Sequence, residues 1–139
     1  MRKKLIIIII AIILLLTTVF STVFFSVYCI FTAPKYKGEF SIGDFSDTIE
    51  LFPFSSNKKY GKIRDYKSAG QIGKNIINEF YGEYSEGSII DWMGCDVQYD
   101  PQNDIYYVRT YHINPLILGG AYDVIIRSDG TVLAMWGEK

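Results

Sequence analysis

At 139 residues, the chain has room for one compact domain beside a targeting segment. It carries 14 Lys and Arg against 15 Asp and Glu, with 49% hydrophobic residues. That balance speaks against a nucleic-acid binder, and Cys29 and Cys95 are too few for a disulfide-built scaffold.

Residues 5–31 hold no charge and are mostly Ile, Leu, Val and Phe. As a helix this run extends about 40 Å, more than the ~30 Å hydrocarbon core of a bilayer. Lipid offers the backbone no partners, so a spanning segment must be helical despite its β-branched residues. A cleavable secretory signal would have an apolar core of about 7–15 residues and small residues at its cleavage site. Here bulky Phe31 precedes Thr32, Ala33 and Pro34. Lipidation of Cys29 would call for small residues before it, where Val27 and Tyr28 stand. The expectation is a retained anchor in the bilayer. Arg2, Lys3 and Lys4 precede the run, and only Lys35 and Lys37 closely follow it. The positive-inside rule then predicts a single-pass protein of the cell membrane, N-terminus cytoplasmic and C-terminal domain extracytoplasmic.

All 15 acidic residues lie beyond the run, against 11 of the bases. Residues 75–108 hold seven acids (Glu79, Glu83, Glu86, Asp91, Asp96, Asp100, Asp104) and no base. Tyr81, Tyr84, Trp92, Tyr99, Tyr106 and Tyr107 lie in the same stretch. Aromatics among acids suit a surface that binds a basic protein, although half of them packed in a core would give the same pattern. The expected contact residues are Glu83, Tyr84, Glu86, Trp92 and Asp104.

The chain divides into residues 1–33 (cytoplasmic tip and anchor), 34–64 (irregular connecting segment) and 65–139 (α+β domain). Phe40, Ile42, Phe45, Ile49, Leu51, Phe52 and Phe54 make the middle segment too apolar for a solvated linker, so one short element should dock on the domain. Ala69, Ile72, Gly73, Ile76, Ile77 and Phe80 recur at helical spacing and predict a helix over 66–81. Asp65 would cap its start, and Gly82 would end it in the left-handed conformation. Gly70 and Gly73 predict close approach of that helix to a sheet. After Gly87 the period falls to two, predicting strands at 89–99, 105–112, 121–127 and 131–136. Residues 100–103 and Ser128-Asp129-Gly130 are the hairpin turns. The fold class is α+β, a helix on a four-stranded antiparallel meander.

Signals for catalysis are weak. His112 is the one histidine, with no nucleophile elbow or other local signature beside it. Residues 100–104 resemble the start of a calcium loop, but Ile105 and Tyr111 replace the required glycine and acid. Gly119-Gly120 precedes a strand, whereas a phosphate cradle opens a helix. No enzyme, metal or cofactor is expected.

Two stretches resemble the bacterial immunity proteins of polymorphic toxin systems that have a nuclear-transport-factor-two fold. One is the helix from Asp65 through Lys67, Ala69 and Ile72 to Phe80-Tyr81-Gly82-Glu83. The other runs from Tyr107-Val108-Arg109 through Gly119-Gly120-Ala121-Tyr122 and Val124-Ile125-Ile126 to Asp129-Gly130-Thr131-Val132-Leu133 and Gly137-Glu138-Lys139. Tyr106-Tyr107 stands where that family tends to have a Trp. The resemblance implies a cone-like domain that neutralises a cognate toxin by binding it, without catalysis. Its shared motifs (Tyr81, Gly82, Gly119, Gly120, Asp129, Gly130) are fold determinants. Two other readings stay open. One is a small-ligand or isomerase-like cone domain with Asp91, Asp96 or Asp123 as its pocket acid. The other is an envelope protein with a structural role.

Overall fold

The computed structural model describes residues 2–82, 93–113 and 120–137. The chain forms two compact units, 1–31 and 32–139.

The first unit is a single helix. α1 (Arg2–Thr32) has 31 residues, about 45 Å of rise, and is long and apolar enough to cross a membrane. Its apolar side chains are exposed almost throughout. Thr17, Thr18, Thr22 and Ser26 donate their hydroxyls to carbonyls three or four residues earlier, so these polar groups are satisfied without water.

The second unit is α+β, built on a five-stranded mixed sheet in the order β1-β2-β3-β4-β5. Its strands are β1 (Pro34–Glu39), β2 (Met93–Asp100), β3 (Ile105–His112), β4 (Tyr122–Arg127) and β5 (Val132–Gly137). β2 to β5 pair antiparallel in chain order, but within a five-stranded mixed sheet and not as the four-stranded sheet expected. The fifth strand is the correction: β1 pairs parallel to β2, with Pro34 opposite Cys95 and Tyr36 opposite Val97. Residues 34–64, expected to be an irregular connection, thus carry an edge strand and belong to the same compact unit as 65–139. Pro34, Lys35, Lys37 and the irregular register at Gly38 (φ +106°) suit a sheet edge.

After β1 the chain crosses one sheet face as a 3₁₀ turn (Ile42–Phe45) and helix α2 (Ser46–Leu51). Phe40, Ile42, Phe45 and Ile49 pack there on Ile105, Tyr107 and Ile125. Residues 52–63 then run along the outer edge of β5. Phe54 N donates to Leu133 O at 3.2 Å, Tyr60 N to Gly130 O at 3.1 Å and Ile63 N to Ser128 O at 2.7 Å.

Helix α3 (Tyr66–Tyr81) covers the other face, and its bounds match the sequence reading. Asp65 accepts from Ser68 N at 2.7 Å while the Ser68 hydroxyl accepts from Asp65 N, so two otherwise orphaned donors at the helix start are satisfied. Ala69, Ile76 and Ile77 are buried against Met93, Cys95, Val97, Val108, Val124 and Ile126. The close approach expected of Gly70 and Gly73 is present. A Cβ at Gly70 would lie 2.5 Å from Pro34 Cβ, and one at Gly73 would lie 2.7 Å from Val108 Cγ1. Gly82 departs from expectation: it keeps right-handed helical geometry (φ −64°), with its N–H on Asn78 O.

Candidate functional site

Along β3, alternate residues face opposite sides of the sheet. Tyr106 and Val108 join the α3 side, which leaves Tyr107, Arg109 and Tyr111 on the other face. Register then decides what each one meets. Arg109 stands opposite Asp96 on β2 and opposite Asp123 on β4. Residues directly paired across strands share a face with Cβ atoms about 5 Å apart, so the three form one row across the sheet.

Lys37 extends that row onto β1, its Nζ 3.6 Å from Asp96 Oδ2. Arg109 Nη1 lies 3.8 Å from Asp123 Oδ1. Charges therefore alternate over four strands: Lys37, Asp96, Arg109, Asp123. The two tyrosines flanking Arg109 each serve one acid. Tyr107 donates to Asp123 Oδ1 at 2.6 Å, and Tyr111 donates to Asp96 Oδ1 at 3.2 Å. Burial pushes both phenols above their ordinary range, and the neighbouring carboxylates push them further. Gly94 makes room for this arrangement. A Cβ there would stand 2.5 Å from Tyr111 Cε2, so only a glycine lets that ring lie across β2 and reach Asp96.

The row opens into a cavity of about 190 Å³ lined by Lys37, Asp96, Gln98, Tyr107 and Arg109. The acids lie inward and the cations outward. Side-chain exposure is 0% at Asp123 and 26% at Asp96, but 39% at Arg109 and 50% at Lys37. Beside the cavity, Tyr107 packs on Phe45 with ring centroids 4.9 Å apart and lies nearly parallel to Trp136 (12°). These rings clamp the phenol that serves Asp123.

Of the contact residues expected from sequence, Glu83, Tyr84, Glu86 and Trp92 lie outside the described residues, as does Gly119 of the fold motif. Asp104 is a turn residue at φ +55°. Its carboxylate accepts from Tyr99 Oη at 2.9 Å and from the Ser128 hydroxyl, and its carbonyl accepts from Ser128 N at 3.0 Å. It joins the β2–β3 turn to the β4–β5 turn. The other described acids of the 75–108 stretch are also engaged within the domain. Glu79 pairs with Lys58 at 2.7 Å, and Asp96 belongs to the row. Buried Asp100 accepts from Ile42 N, Gln102 N and Asn103 N.

The fold-motif residues sit in packing and turns. Tyr81 packs on Tyr122 with centroids 4.6 Å apart. Gly120 takes a φ of +79° and Gly130 one of +85°, and Asp129 pairs with Lys59 at 2.5 Å. Cys95 is fully buried, and that burial, against the lowering effect of Lys74 and with Asp96 nearby, pushes its thiol up to about 12. Asp96 and Asp123, two candidates for a pocket acid, do meet in one place, whereas Asp91 lies outside the described residues.

No family model matches this chain, no curated protein is significantly similar to it in sequence, and no solved structure matches its fold. The geometry therefore has to carry the functional reading. It defines an α+β domain that follows an apolar helix in the chain, with a polar cleft built on its sheet.

Proposed function

We propose that this chain is a membrane-anchored immunity protein, its domain held outside the cytoplasm to neutralise a cognate protein toxin by binding. One observation carries the binding part of that reading: the Lys37–Asp96–Arg109–Asp123 row in an open cleft. A buried carboxylate loses several kcal/mol of hydration, and apolar residues in its place are often neutral or stabilising. Folding alone gives no reason for such a row. Recognition does, because charges fixed by tyrosines and cross-strand partners meet a partner already ordered. The toxin and the cone-like, nuclear-transport-factor-like classification rest on the sequence resemblance. The orientation rests on Arg2, Lys3 and Lys4.

A second reading has its own support. Asp123 lies fully buried beneath the cleft, as the acid of a small-ligand or isomerase-like site would. A volume and an environment weigh against it. Ligand pockets commonly enclose about 300–1,000 Å³, and this cavity holds about 190 Å³. The isomerase-like site also needs its acid against an apolar wall, and Asp123 faces Arg109 and the Tyr107 hydroxyl.

The test is co-production. A toxin-like protein encoded beside this chain, directed to the extracytoplasmic side, should stop growth alone and permit it when the full chain is present. A reporter fused after Lys139 should be active only outside the cytoplasm. Growth arrest despite correct insertion of the chain contradicts the immunity reading.

A further inference from the structure

The charges of the cleft are layered by depth. Asp123 and Asp96 lie deepest, and each accepts a hydrogen bond from a β3 tyrosine. Arg109 and Lys37 lie outermost, 39% and 50% exposed. An incoming group therefore meets cations first, although the exported part of the chain as a whole carries an acid excess. Arg109 sits at the centre of the row, opposite both acids, between the two tyrosines on its own strand. A guanidinium is a planar fork of N–H donors whose geometry matches a carboxylate, and one held in place loses little entropy on binding. The size agrees. About 190 Å³ takes a carboxylate and its short methylene stem, but falls below the usual volume for a drug-sized molecule.

We propose that the cleft between β1, β2 and β3 is a carboxylate-binding site that receives an acidic side chain of the partner protein. Arg109 grips the carboxylate, Lys37 closes over it from the sheet edge, and Gln98 lines the wall. Asp96 and Asp123 hold the two cations in place from below. This deepens the binding reading above and rests on it for the identity of the partner. The carboxylate chemistry is testable without that partner.

The experiment uses the full chain in lipid nanodiscs and the peptide acetyl-Glu-Glu-amide, followed by NMR of the Arg109 Nε–H. The expected result is a saturable shift at Arg109, with acetyl-Gln-Gln-amide roughly tenfold weaker or silent. Lys37→Gln, at an exposed edge position, should weaken the peptide severalfold and leave thermal stability unchanged. Arg109→Lys keeps the charge but not the fork and should weaken it by about tenfold. Equal binding of the two peptides, or a shift that spares Arg109, overturns the proposal. Inorganic phosphate binding more tightly than the Glu peptide overturns the assignment to an acidic side chain. Protection from the toxin without peptide binding sinks this site alone, whereas peptide binding without protection sinks the immunity reading.

Discussion

Tyr107 donates its hydroxyl to Asp123 across 2.6 Å, and Asp123 has no exposed surface at all. The phenol is held there by Phe45 and Trp136 and by its place one pleat from Arg109. A Tyr107→Phe change keeps the ring packing and removes only the donor. Hydrogen bonds to charged groups contribute about 1.5–3 kcal/mol, so unfolding in urea should show a loss of about 2 kcal/mol. A loss below about 0.5 kcal/mol, within the usual range for surface changes, would mean another group serves Asp123 equally well.

The same pair sets an alkaline limit. Burial, then the hydrogen bond to Asp123, raise the Tyr107 phenol above its ordinary value near 10. The folded state therefore keeps a proton that the unfolded chain gives up. The associated stability is complete below about pH 10 and is lost as pH rises further, by up to about 1.4 kcal/mol per pH unit for one tyrosine. Tyr111 and Tyr106 are raised as well and add to the slope. Urea midpoints measured on either side of pH 10 should fall more steeply for wild type than for Tyr107→Phe. Parallel slopes would remove Tyr107 from the account.

Two glycines with positive φ separate conformation from crowding. Gly130 (φ +85°) ends a tight turn in which its N–H bonds Arg127 O at 2.9 Å, and a Cβ there would run into the Gly61 backbone. Gly38 (φ +106°) has nothing within 4 Å of such a Cβ. Gly130→Ala carries both penalties and Gly38→Ala only the conformational one, so the first should cost at least about 1 kcal/mol more. Gly130→Val should be worse still, since a β-branched residue is strained at that φ. Equal melting temperatures for the two alanine variants would show that the Gly61 contact yields freely.

Asp104 separates charge from structure. Asn tolerates positive φ, keeps one oxygen acceptor for one of the Tyr99 and Ser128 hydroxyls and can donate its amide N–H to the oxygen of the other, so Asp104→Asn should stay within about 1 kcal/mol of wild type. Asp104→Lys loses those acceptors and should cost roughly 2–3 kcal/mol in thermal or urea unfolding. A Lys variant as stable as wild type would mean that the join between the two turns contributes nothing.

Helix α3 was legible because its signals are local: Asp65 at the cap, an apolar stripe of 3.6 period, and glycines where the sheet approaches. The meander was legible from period-two apolar runs and from Gly130. β1 was not. Pro-Lys-Tyr-Lys-Gly-Glu alternates only over four residues before Gly38, and its pairing with β2 spans a separation of about sixty residues that no local pattern encodes. The cleft was half legible. Asp96 and Asp123 stood out as acids inside strands, but whether they face each other across Arg109 depends on register, and a slip of one residue would put them on the opposite face. Tyr107-x-Arg109-x-Tyr111 was the usable signal, since three polar-tipped side chains on one pleat face need partners. Gly82 misled because a glycine after a helix usually marks a left-handed end, and here it continues the turn.

The most direct test of the account is the affinity of the full chain, in lipid nanodiscs, for the toxin-like protein encoded beside it. Wild type should be compared with Arg109→Lys and Lys37→Gln, each first checked for folding by circular dichroism. The account predicts a tight wild-type complex. Arg109→Lys should dissociate about ten- to a hundredfold faster, because a desolvated charged anchor acts mainly on the off-rate. Lys37→Gln should mainly slow association, and that difference should shrink as salt rises. Absence of a wild-type complex, or rate constants unchanged in both folded variants, would contradict it.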